Sequence, residues 1–116
     1  MNAYDLANQL ARALKEGQEY SKLLAAKSVL GADGDAQKMV KDFLAKQAQL
    51  QLETLSGKEA AAGKQEQLQK LYELVVQNQK GRDYLQALMR FQLLLDDIYK
   101  ILGDAVKPVL GEEKSD

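Results

Sequence analysis

The acidic side chains are the first place to look for chemistry in this sequence, because it contains no His and no Cys. General-base chemistry by an imidazole is therefore excluded, and zinc or iron-sulfur sites lack their usual ligands. Asp96 and Asp97 are adjacent, so on a helix they point about 100° apart and cannot face one substrate or one metal ion together. We expect no catalytic residue, no metal site and no cofactor, and predict that the protein is not an enzyme.

A second acidic pair, Asp33 and Asp35, has the spacing at which an EF-hand calcium loop begins. The rest of that loop is missing, because Gln37 stands at its fifth position and Leu44 at its twelfth, where a bidentate glutamate is needed. A carboxylate is also a common N-cap, where it accepts hydrogen bonds from the free amides of a helix start. We expect Asp33 or Asp35 to cap a helix.

Three basic residues form the remaining polar candidate, a strip that could contact RNA: Lys80, Arg82 and Arg90. The composition argues against it, since 16 Lys and Arg face 17 Asp and Glu and the pI is about 5.5. Domains that hold nucleic acid usually carry a basic excess. Nucleic acid is the disfavoured partner, and RNA contact through this strip is kept as the alternative function.

Glycines and regularly spaced leucines divide the chain into amphipathic helices, and no stretch has the alternation of a strand. The pattern predicts an all-α domain over residues 1–111, followed by a disordered polar tail over 112–116. It contains two short N-terminal helices and three longer ones. The predicted helices span about 3–16, 18–30, 36–55 and 64–78, followed by one of about 25 residues that ends near Pro108 and Gly111.

The last helix carries a heptad seam, in which apolar residues recur at spacings of four and three. Further leucines lie beside this seam, so the helix is apolar around much of its circumference. Such a helix is buried on more than one side. We predict the central seam residues as the interface with a second copy or a partner: Tyr84, Leu88, Phe91, Leu95, Ile98 and Leu102.

Long helices joined by short connections pack antiparallel, which predicts an elongated bundle built on the last three helices. The two N-terminal helices are expected to cover part of it. One neighbour cannot cover all of the apolar surface of the last helix, so we predict a homodimer. The alternative is that the N-terminal helices cover the whole surplus.

The opening residues show neither a signal-peptide pattern nor a long apolar run, and we expect a cytoplasmic protein without a membrane partner.

Several stretches resemble the YlbF/YmcA family of small bacterial proteins, and among them its YheA-like branch. The residues that carry the resemblance are YDLANQLARALK at 4–15, the turn at Ala32 and Asp33, LYELV at 71–75, RDYL at 82–85 and DIYKI at 97–101. They are packing and capping residues rather than a catalytic signature. The resemblance therefore concerns the fold more than the function.

The resemblance implies a self-associating helical protein that acts as a regulatory accessory factor through protein complexes. Some relatives hold an iron-sulfur cluster on cysteines, a property that this cysteine-free chain cannot share. Two positions depart from the family pattern: Gly17 stands where a capping serine is expected, and Leu88 where an acidic residue is expected. We predict a non-enzymatic protein interaction module that binds itself and an unidentified protein partner.

Overall fold

The computed structural model describes residues 2–57 and 62–111, which form five α-helices and contain no strand within those ranges. This confirms the all-α class and the number of helices. The predicted polar tail at 112–116 lies outside the described residues. The helices are α1 (Ala3–Glu16), α2 (Gln18–Gly31), α3 (Gly34–Leu55), α4 (Ala62–Gln77) and α5 (Gln79–Leu110).

Three of the helices begin at an Asn or Asp whose side chain accepts a hydrogen bond from a backbone amide of the first turn. Asn2 caps α1 through the N–H of Asp5 at 2.9 Å. Asp33, one of the two carboxylates between which the sequence left the cap open, caps α3 through the N–H of Ala36 at 3.1 Å. Asn78 caps α5 in the same way, through the N–H of Gly81 at 2.9 Å.

The last helix is longer than predicted, with 32 residues. Asn78 ends α4 and at once begins α5, so the segment from Gln79 to Gly81 forms the first turn of α5 rather than the end of α4. Pro108 lies inside the last turn, and the helix ends at Gly111, whose φ of 70° is left-handed. Gly31 belongs to the last turn of α2, and Ala32 follows as its C-cap.

α2 and α5 run antiparallel along each other and make the most extensive helix pair of the described chain. Asp33, just after α2, lies beside Lys80 at the start of α5, while Tyr20 near the start of α2 touches Phe91. Tyr20 and Asp33 are 13 residues apart, and Lys80 and Phe91 are 11 residues apart. The two helices therefore stay close between these two contacts. α3 and α4 form the second antiparallel pair.

The core lies where these two pairs meet. The chain approaches itself closely there, because Gly81 of α5 packs on the backbone of Val75 and on the side chain of Val40. No helix contributes more than three residues to this cluster. Its buried apolar residues are Leu30, Ala36, Val40, Phe43, Val75 and Leu85.

The molecule is a thin plate, with extents of 47 × 38 × 15 Å. Its radius of gyration is 18.0 Å, compared with about 13 Å for a compact domain of this length. A thickness of 15 Å leaves room for little more than one layer of helices, each about 10 Å across. The predicted elongation is confirmed, and one consequence is that most helices keep one face uncovered.

Candidate interaction surfaces

The first half of the predicted seam on α5 is packed inside the chain. Tyr84 and Leu88 lie half-buried against the core. Phe91 meets Tyr20 of α2 edge to face, with ring centroids 6.1 Å apart and an angle of 67° between the rings. These three predicted interface residues are therefore used at least in part inside the chain, Tyr84 and Leu88 against the core and Phe91 in holding α2 on α5.

The second half of the seam is open. Leu95 and Ile98 are half-buried, Leu102 is 53% exposed and Val109 is 82% exposed. α2 begins opposite Phe91, and α1 makes no contact with α5, so no described helix lies along this part. We call Ile98, Leu102, Val106 and Val109 the open face of α5.

A second open apolar face lies on α1, where the sequence prediction placed only a cover for the bundle. Leu6, Leu10 and Leu14 follow one side of this helix, with the charged residues on the other sides. No residue of α1 is buried, and the helix contacts no other described helix than α2. The regular spacing of these leucines was visible in the sequence, but whether a neighbour covered them was not.

α1 is directed away from α5 by the backbone at Gly17. This glycine adopts an extended conformation, with φ −83° and ψ 165°, between two helices. Its N–H bonds to the carbonyl of Leu14, and its own carbonyl accepts from Ser21. Because the side chain is only a hydrogen, no side-chain cap supports the start of α2.

A groove between α2 and α5 combines a floor of alanines with walls of both charges. Glu19 and Lys22 project from α2, and Asp83 and Arg90 from α5. Among the described residues none of these four charged groups has an ion pair or a hydrogen bond, so each is available to a partner. Ala26 and Ala87 line the groove between them.

The three basic residues considered for RNA do not form one strip. Lys80 pairs with Asp33, and Arg82 donates from Nη1 to the carbonyl of Val76 at 2.9 Å. Both side chains are engaged within the chain, and only Arg90 projects into the groove. The described residues give no support to the RNA alternative.

Two of the acidic residues considered for chemistry or pairing, Asp33 and Asp104, make contacts within the chain. Lys100 pairs with Asp104 at 3.1 Å, not with Asp96, as its sequence spacing also allowed. Asp33 accepts from Ala36 and from Lys80, and these two interactions hold the pKa of its carboxyl below the ordinary value of 3.8. Within the described residues no group of three acids is placed to hold a metal ion.

A comparison with models of protein families identifies the family of this chain. A family model described as control of competence regulator ComK, YlbF/YmcA, matches residues 3–107. The chain belongs to the YlbF/YmcA family. The resemblance drawn from the sequence is confirmed, and the description of the family is that of a regulatory factor.

Curated relatives of this family member carry no functional name. This chain is 46% identical over 103 residues to a UPF0342 protein of Symbiobacterium thermophilum, and the match covers 89% of this chain and 92% of the relative. A UPF0342 protein of Desulfitobacterium hafniense is 38% identical over 100% of this chain and 95% of its own length. These relatives support the family assignment over nearly the whole length of the chain.

The fold has a counterpart among solved structures. A protein of unknown function (DUF964) from Bacillus stearothermophilus superposes with a TM-score of 0.76, covering 97% of each chain at 20% identity. At that identity the likeness concerns the fold alone. No helix in the described part of this YlbF/YmcA member has the length and hydropathy to cross a membrane.

Proposed function

We propose that this YlbF/YmcA protein is a non-enzymatic regulatory accessory factor of the cytoplasm, which acts as a homodimer and binds a protein partner. The family description, control of a competence regulator, supports a role exerted through other proteins. The observation that carries the homodimer is the amount of surface that one chain leaves uncovered.

The accessible surface of the single chain is 8883 Å². A compact monomer of 12.9 kDa exposes about 6,300 Å². The difference, about 2,600 Å², exceeds the roughly 800 Å² that each partner contributes to an interface of standard size. Large apolar side chains are exposed on α1 and on the second half of α5, among other helices, and burial of apolar surface is what drives association.

Light scattering coupled to size exclusion tests the homodimer. At micromolar concentration we expect about twice the chain mass of 12.9 kDa. Leu102→Asp, on the open face of α5, should shift the protein to monomer, because it places a charge in the interface. Leu52→Asp is the matched control, since Leu52 lies on α3 and is also mostly exposed. A monomer for the unaltered chain would overturn the proposal.

The groove between α2 and α5 is the surface that we propose for the protein partner. Its alanine floor admits close approach of a helix, and its unpaired charges of both signs favour a partner segment that carries both signs. Quantitative capture from lysate, compared between the unaltered protein and the double variant Lys22→Glu with Arg90→Glu, tests this assignment. We expect recovery of the partner to fall at least tenfold. Equal recovery, or recovery of the protein alone, would remove the groove from the proposal.

A further inference from the structure

The open face of α5 has the dimensions of one short helix. It extends from Ile98 to Val109, 12 residues or about 18 Å. Its apolar residues fall in four successive layers, at Ile98, Leu102, Ala105 with Val106, and Val109. Ile98 is half-buried and the residues of the other layers are exposed in the single chain, although the stripe continues the seam on which α2 packs.

α1 has matching dimensions. It contains 14 residues and is about 21 Å long. Its apolar face also has four layers, at Ala3, Leu6 with Ala7, Leu10 and Leu14. The two apolar faces, over residues 3–14 and 98–109, thus each span 12 residues and four layers, and in the described chain α1 contacts α2 alone and does not reach α5.

The direction of α2 shows how α1 would run on α5. α2 lies antiparallel to α5 and begins beside Phe91. A helix placed in line with α2, ahead of its first residue, would continue along α5 from Phe91 toward Val109. In that position Leu14 lies level with Ile98, Leu10 with Leu102, and Ala7 with Ala105.

The extended backbone of Gly17 keeps α1 of the same chain out of this position. We propose that the position is taken by α1 of a second copy, and that the two copies exchange α1 reciprocally. Each α5 is then covered by its own α2 over the first half and by the partner copy's α1 over the second half. This inference rests on the proposed homodimer and names the surfaces that form it.

Reciprocal exchange explains two features with one contact. It buries the apolar face of α1 and the open face of α5 twice in each dimer, as the symmetry of a two-fold interface requires. It also leaves the groove between α2 and α5 outside the interface, with its charges free for a partner.

Cysteine crosslinking tests the exchange, because the chain has no cysteine of its own. One variant carries Ala7→Cys and a second carries Ala105→Cys, and the two are mixed, unfolded, refolded together and oxidised. A disulfide needs Cα atoms roughly 4.4–6.8 Å apart, which the proposed register provides. We expect a crosslinked product that contains one chain of each variant. Arg12→Cys, on the polar face of α1, replaces Ala7→Cys in the control and should leave the chains unlinked.

A single chain that carries both Ala7→Cys and Ala105→Cys separates the remaining outcomes. Exchange predicts a covalent dimer with two disulfides under non-reducing conditions. A monomer with an internal disulfide would overturn the exchange, as would crosslinking by the Arg12→Cys control at the same yield. If light scattering still reports a dimer in those cases, the proposed homodimer survives. A monomeric unaltered chain overturns both.

Discussion

Lys80 and Asp33 join two helix junctions that are 47 residues apart in the sequence, with 3.3 Å between Nζ and Oδ2. The same Asp33 carboxylate caps α3 through the N–H of Ala36. One side chain thus fixes the start of α3 and holds it beside the first turn of α5. This is the end of the molecule where α2 and α5 are closest to the core.

The pH dependence of stability should report this arrangement. The backbone N–H of Ala36 and the ammonium of Lys80 lower the pKa of Asp33 in the folded state. A lowered pKa adds stability that is present above the pKa of the unfolded chain, 3.8, and that is lost as the pH falls through the folded value. We expect the free energy of unfolding, measured by urea titration between about pH 6 and pH 2, to fall less steeply for Asp33→Asn than for the unaltered chain.

Asp35 provides the control for that experiment. It lies in the same first turn of α3, and no hydrogen bond or ion pair of its side chain is seen in the described residues. Asp35→Asn removes the same charge from the same turn without touching the two contacts of Asp33, so it measures how much of the change is due to charge alone. A slope changed equally by both substitutions would show a general charge effect instead of the Asp33 contacts.

Gly81 should tolerate no side chain. A Cβ at this position would lie 2.9 Å from the carbonyl oxygen of Val75 and 3.1 Å from its Cγ1, and a backbone atom cannot move aside as the end of a long side chain can. Gly81→Ala should lower the free energy of unfolding by about 1–3 kcal/mol, despite the higher helix propensity of alanine. Thermal and urea unfolding measure this change.

The same substitution at Gly103 should change the free energy of unfolding in the opposite direction. It also lies inside α5, but nothing is within 4 Å of the Cβ that would be added. Gly103→Ala should raise the free energy of unfolding by up to about 1 kcal/mol, the difference in helix propensity. Equal effects at Gly81 and Gly103 would contradict the close approach of α5 to Val75.

The core is small, so single truncations within it should have large effects. Val40 is 1% exposed and packs where α3 meets Gly81 of α5. Val40→Ala should cost about 1–3 kcal/mol through lost burial and the cavity that remains. Leu52→Ala, on the exposed side of the same helix, should cost less than about 0.5 kcal/mol. Urea unfolding of the two variants at equal protein concentration measures the difference.

The helices were predictable because they depend on local pattern. The spacing of leucines placed α1 within its observed bounds, and residue type limited the cap of α3 to Asp33 or Asp35. Asn78 was harder, since it ends one helix and begins the next with no residue between, and the glycine that follows suggested a longer break. Asn78 separates the two helices through its extended backbone conformation, and the periodicity of apolar side chains carries no information about that conformation.

What covers each helix was not predictable from periodicity. The seam from Tyr84 to Leu102 is uniform in sequence, yet its first part packs under α2 and its last residue is exposed. The difference arises at Gly17, where a single extended residue turns α1 away from α5. An apolar helix face indicates that another helix should pack on it. Whether that helix comes from the same chain depends on the backbone direction at the junction, here at Gly17.

Gly17 therefore offers the sharpest test of how the dimer forms. Alanine is about 1 kcal/mol more favourable than glycine inside a helix and is a poor N-cap. Gly17→Ala should favour a continuous helix through α1 and α2, which would lay α1 on α5 of its own chain. Serine is close to alanine in size, but its hydroxyl can cap α2, where no side-chain cap is present now.

The two substitutions should move the dimer in opposite directions. A change of about 1 kcal/mol corresponds to roughly fivefold in a dissociation constant. We expect Gly17→Ala to weaken the dimer by about that factor and Gly17→Ser to retain or strengthen it, as measured by sedimentation over a range of concentrations. Equal dissociation constants for the two variants would mean that the break at Gly17 does not control which copy of α1 covers α5.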